Sequence, residues 1–167
     1  VVDAQITDAL GRPAYRIIRF IRSTPTAAWV PDNTFMAVPG ETSIEFIENN
    51  LRYIKLRSAI KQDNSWKGNS YINTSSLSSN LKYLDDWDYT YDSINVAAKV
   101  GTLTIDSTIK VAQIDQQTAI DKTFSEEKYA KGIGLIYRNF LHWNKRNANG
   151  TYTNASYGVI LKMIDHN

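Results

Sequence analysis

The sequence has 167 residues, 43% of them hydrophobic and 22% charged, a mixture that fits one β-rich globular domain over residues 1–167 and excludes a disordered chain. With 19 Lys and Arg against 17 Asp and Glu, the formal charge of +2 gives little long-range pull toward nucleic acid or an anionic membrane, so no nucleic-acid partner is expected. The absence of cysteine rules out disulfides, thiolate catalysis and Cys-ligated zinc or iron–sulfur centres.

The first pattern along the chain is a hairpin. Val1–Thr7 leads into the turn Asp8-Ala9-Leu10-Gly11 and then Arg12–Arg22. There Tyr15, Ile17, Ile18, Phe20 and Ile21 favour strand over the helix suggested by Arg16, Arg19 and Arg22 at three-residue spacing. Trp29–Val38 contains Pro31 and closes on Pro39-Gly40, the pattern of an irregular or edge strand, because proline donates nothing to a ladder. Ser43–Glu48 and Leu51–Arg57 flank Asn49-Asn50, and asparagine tolerates the positive φ of a tight hairpin turn. Lys61–Asn80, with Gly68, four Asn and six Ser, reads as a long loop with an exposed tip at Ser75–Ser79.

Asp85–Ile94 alternates Tyr89 and Tyr91 with Asp88, Thr90 and Asp92, as a strand does. Leu103–Ile114 puts Leu103, Ile105, Ile109 and Val111 on one face and Thr104, Asp106, Thr108 and Lys110 on the other. Ser125-Glu126-Glu127-Lys128 reads as a helix start, with a serine cap and acids in the first turn, cut short by Gly132 and Gly134. Ile133–Trp143 and Tyr157–Ile164 then form a hairpin around Asn147-Ala148-Asn149-Gly150. In it Ile133, Leu135, Tyr137, Leu141 and Trp143 match Tyr157, Val159, Leu161 and Met163, while His142 falls on the opposite face as an exposed or edge side chain. The expected fold is all-β with at most one short helix: an antiparallel, hairpin-connected curved sheet, either barrel-like or a sandwich.

Little in the chain names a reaction. His142 and His166 stand at no metal-ligand or triad spacing, no G-x-S-x-G elbow occurs, and Gly132-Ile133-Gly134 lacks the third glycine and the helix of a dinucleotide motif. No catalytic residue, cofactor or metal is therefore assigned. The candidate ligand surface combines Asp86 and Asp88 beside Trp87, carboxylates next to an aromatic plane as at a carbohydrate site, with Arg16, Arg22 and Trp66, where cations and aromatics interleave. The expectation is a non-catalytic protein that binds a protein, peptide or glycan through a sheet surface or cleft. The alternatives are a carbohydrate hydrolase using carboxylates near Trp87, and a barrel-type carrier of a lipid or small molecule.

Three stretches and the closing residues carry a resemblance: Glu48-Asn49-Asn50-Leu51-Arg52-Tyr53-Ile54-Lys55-Leu56, Asn64-Ser65-Trp66-Lys67-Gly68-Asn69, and Lys128-Tyr129-Ala130-Lys131-Gly132-Ile133-Gly134-Leu135-Ile136-Tyr137, with Ile164-Asp165-His166-Asn167. Together they resemble a family of uncharacterised small envelope lipoproteins of Bacteroidetes, over most of the chain. The resemblance implies an exported protein of the periplasm or cell surface, held at the outer membrane by a lipid on a cysteine outside this chain, and it implies no reaction. No apolar run nears the roughly 20 residues that cross a bilayer, and the N-terminus lacks a signal-peptide layout, as expected of a processed chain whose membrane contact is the lipid alone. Asp92-Ser93-Ile94 and Asp106-Ser107-Thr108 resemble the O-glycosylation acceptor pattern of exported proteins in that phylum, with Ser107 placed on the apolar face of its strand. No oligomeric state is read from the sequence.

Overall fold

The computed structural model describes residues 1–75, 79–145 and 156–166. Within them the chain is all-β, with antiparallel sheets of five and six strands. Neither sheet closes into a barrel, which corrects that alternative: each keeps two edges. The chain divides into two compact units, Val1–Ala59 with Asn69–Asn73, and Ile60–Gly68 with Thr74–Asn167.

In the first unit, β1 (Val2–Thr7), β2 (Pro13–Ile21), β3 (Val30–Pro39), β4 (Ser43–Glu48) and β5 (Leu51–Arg57) follow one another across the sheet in chain order. The β1–β2 turn closes as expected, because one carboxylate oxygen of Asp8 accepts the N–H groups of Leu10 and Arg12 at 2.9 Å each and so mimics a backbone turn. Asn49 and Asn50 take φ of 52° and 63°, the left-handed pair that a two-residue hairpin requires. β3 is the central strand and not an edge. Pro31 is accommodated because it stands near the start of β3, opposite Phe20, where the register shifts between Arg19 and Phe20. The missing N–H therefore falls where the ladder is already irregular.

The second unit holds β6 (Ser65–Lys67), β7 (Asp88–Val100), β8 (Leu103–Gln117), β9 (Asp121–Ala130), β10 (Gly134–Asn144) and β11 (Tyr157–Lys162), again in chain order. The Lys61–Asn80 stretch is not all loop: β6 lies inside it, with Trp66 paired to Tyr89, and a 3₁₀ turn runs over Ser79–Leu84. Residues 76–78 of the expected loop tip, and the whole Asn147–Gly150 turn, lie outside the described residues. Trp66 packs at a tilt against Tyr91 at 4.7 Å and Tyr89 at 5.8 Å. Gly68 lets Tyr89 approach its backbone, since a Cβ there would stand 2.3 Å from the ring.

Three faces differ from the sequence pattern. Ser125–Lys128 is the middle of β9, paired on both sides, and not a helix. Thr123, Ser125 and Glu127 are buried at 5%, 2% and 1% exposure, a period of two whose cross-strand partners outweigh the local capping signal. On β10 the buried residues are Ile136, Phe140 and His142, opposite the expected face. Phe140 pairs with Ser125 and His142 with Thr123, so polar groups that satisfy one another share the buried face and blur the hydrophobic period. On β8, Thr108 is buried and Ser107 exposed, the reverse of the expected faces. Asn95 and Ser107 both take φ of 57°, and the Ser107 hydroxyl donates to the Asn95 amide oxygen at 3.1 Å where the β7–β8 register shifts, a bulge that re-aims the side chains.

Candidate functional site

The residues expected to form a ligand surface separate into two kinds. Trp66 and Trp87 are interior, 4% and 3% exposed. The Trp87 indole N–H donates to the Tyr83 carbonyl at 2.6 Å, and its ring lies against Phe140, so neither indole offers a plane for stacking a sugar. Asp86 and Asp88 do face solvent, and both reach the Lys67 amine, at 2.7 and 2.9 Å. Those contacts, Asp86 first, raise the Lys67 pKa. Arg16 and Arg22 belong to the unit of the five-stranded sheet. Arg16 pairs with Asp3, while Arg22 donates to the Pro25 carbonyl at 2.6 Å and lies over the exposed Trp29 ring at 4.4 Å.

Each unit also holds a buried polar cluster that the sequence did not reveal. In the first, Arg12 spans two acids: it donates to Asp8 at 2.8 Å and to Glu45 at 2.7 and 3.1 Å. Arg52 also grips Glu45, and the Tyr71 hydroxyl donates to Glu45 at 3.2 Å. The Arg12 hydrogen bonds hold both carboxylates below the usual range. In the second, Glu127 accepts from the Gln113 amide at 2.8 Å and from the Tyr129 hydroxyl, with the Arg138 guanidinium at 3.7 Å. Burial first, and the Glu127 charge second, push the Tyr129 hydroxyl well above its ordinary pKa, so it remains a donor. His142 bonds Thr123 at 3.0 Å and stacks on Tyr83 at 3.8 Å, and burial lowers its pKa. The available signal for these clusters was an acid or histidine at the right parity inside a strand, which is indistinguishable from an exposed one until the sheet is assembled.

A groove of about 430 Å³ opens on the five-stranded sheet, lined among others by Ile6, Arg16, Thr34, Met36, Ile47 and Asn50. Its one cation, Arg16, is already held by Asp3.

An exposed surface of a different kind is the edge at β11. It pairs with β10 on one side, and among the described residues no strand pairs with the other. All six of its residues are exposed, with Val159, Ile160 and Leu161 at 38%, 60% and 42%. Met163 donates its N–H to Ile136 at 2.9 Å. From that bond the antiparallel alternation turns Val159 and Leu161 toward β10, and points the N–H and C=O of Gly158, Ile160 and Lys162 outward. Val159 lies opposite Phe140 and Leu161 opposite Arg138, on the sheet's buried face. The edge therefore combines free backbone groups with an apolar inner row. The strand carries no proline, and Lys162 is its only charge, so it lacks most of the devices that blunt sheet edges.

No family model, curated protein or solved structure matches this chain.

Proposed function

We propose that this chain is a non-catalytic binding protein that takes an extended segment of a protein partner along β11, by strand addition to the six-stranded sheet. The observation that carries the reading is the outward ladder of Gly158, Ile160 and Lys162 beside the exposed Val159 and Leu161. In this mode main-chain hydrogen bonds give affinity, and alternate side chains entering the inner row give specificity. The favoured segment has apolar residues at every second position, so that they extend the row Phe140–Val159 and Arg138–Leu161. The arrangement of the carboxylates supports binding over hydrolysis: Asp86 and Asp88 share a lysine, and Asp8 and Glu45 are locked by arginines. The resemblance of Glu48–Leu56 and Lys128–Tyr137 to envelope lipoproteins supports a cell-envelope location.

The test is a displayed library of random linear peptides, panned on the native chain and on Ile160→Pro. Proline at 160 removes an outward N–H and leaves the β10 ladder intact. The native chain is expected to enrich alternating apolar peptides that slow amide exchange at Gly158, Ile160 and Lys162, and Ile160→Pro to lose them. Peptides that bind both proteins equally, without protecting those amides, would refute the reading.

A further inference from the structure

We infer that a second copy of this chain occupies the β11 edge, antiparallel and centred on Ile160, joining two six-stranded sheets across a two-fold axis. This rests on the strand-addition reading and names its partner. The edge is self-complementary about Ile160. Reversed upon itself there, the strand sets Ile160 against Ile160 and Gly158 against Lys162, so all three outward residues of each copy exchange backbone hydrogen bonds. A register two residues away in either direction loses one of these pairs. On the inner face Val159 of one copy meets Leu161 of the other, apolar against apolar, extending rows that now end at residues 38% and 42% exposed. The charges also agree. The single lysine of the strand falls opposite a glycine rather than its own counterpart, which avoids the like-charge pair that blunts an edge. The chain's formal charge of +2 adds little repulsion between copies.

The native lack of cysteine makes the register directly measurable. Residues facing each other as a hydrogen-bonded pair have Cα atoms about 5.5 Å apart, within disulfide reach. Two copies of residue 162 in this register stand about four residues apart along the strand, roughly 14 Å, and beyond reach. Under mild oxidation Ile160→Cys is therefore expected to give a covalent dimer, and Lys162→Cys to give none. Sedimentation of the native chain should show a dimer whose dissociation constant rises at least tenfold in Ile160→Lys, which sets two lysines face to face at an exposed position. A monomeric native chain, a dimer indifferent to Ile160→Lys, or cross-linking through position 162 but not 160 would each overturn the inference. A monomer whose β11 amides are nonetheless protected by a selected peptide would reject the second copy while leaving strand addition standing.

Discussion

Glu45 in the five-stranded sheet and Glu127 in the six-stranded sheet are both almost fully buried, at 3% and 1% exposure, yet their partners differ. Glu45 is met by two guanidinium groups whose own side chains remain 34% and 21% exposed. Its charge is neutralised by full opposite charges that still touch water, so desolvation is only partial. The cluster also fastens Tyr71, from the Asn69–Asn73 segment, to the sheet of its own unit. Glu127 lies mid-sheet, where an amide and a phenol donate to it and a guanidinium stands at 3.7 Å. There hydrogen bonds from neutral donors, in the low dielectric between the strands, share in the compensation. A rim cluster tolerates loss because water can replace a partner. An interior network does not.

The largest expected effect follows from that difference. Glu127→Ala takes the acceptor from the Gln113 amide and the Tyr129 hydroxyl and should cost about 3–5 kcal/mol, since each buried donor left without an acceptor costs about 1–3 kcal/mol. Glu45→Ala leaves arginines that can rehydrate and should cost less, about 1–3 kcal/mol. Urea denaturation of the two variants measures both, and equal losses would erase the distinction between rim and interior.

Acidification sharpens the same comparison. His142 has a pKa lowered mainly by burial, so the folded state disfavours the imidazolium. The stability tied to its neutral ring is complete above about pH 6.5 and is lost as pH falls below that value. Asp8 and Glu45 also have lowered values, through Arg12. Their contribution is complete above about pH 4 and disappears only as pH falls through the lowered values. On acidification, amide protection relative to the intrinsic exchange rate should therefore fall around Thr123 and His142 at a higher pH than around Ala14 and Val38, and His142→Gln should remove the earlier step. A single acid transition shared by both sheets and unchanged by that substitution would contradict this.

The smallest effect concerns a turn, where burial plays little part. Asn50, at φ 63°, should accept Gly with a change within about 0.5 kcal/mol, whereas Asn50→Val should cost about 1–2 kcal/mol because a β-branched side chain resists the left-handed region. Thermal unfolding of the two variants distinguishes these outcomes.

Much of this molecule follows from residues that are neighbours in the chain. The Asp8 turn, the Asn49-Asn50 hairpin and the extended character of β7, β8, β10 and β11 rest on turn chemistry and on side chains alternating in sequence, and both act locally. What the alternation could not supply was which face is buried. Ser125–Lys128 carries a capping signal, and only the flanking strands β8 and β10 make Glu127 an interior acid. His142 looked exposed because its sequence neighbours Leu141 and Trp143 are the apolar ones, yet Thr123 and Tyr83 enclose it. Trp66 and Trp87 looked like ligand planes until the remote rings of Tyr91 and Phe140 packed on them. The β11 edge belongs to the same class: composition made it a strand, and only the order of the sheet left one side of it unpaired among the described residues. Chain neighbours fix turns and strand character because those depend on φ, ψ and local hydrogen bonds. Burial, the buried networks and the open edge depend on contacts between remote segments, which exist only once the sheets have formed.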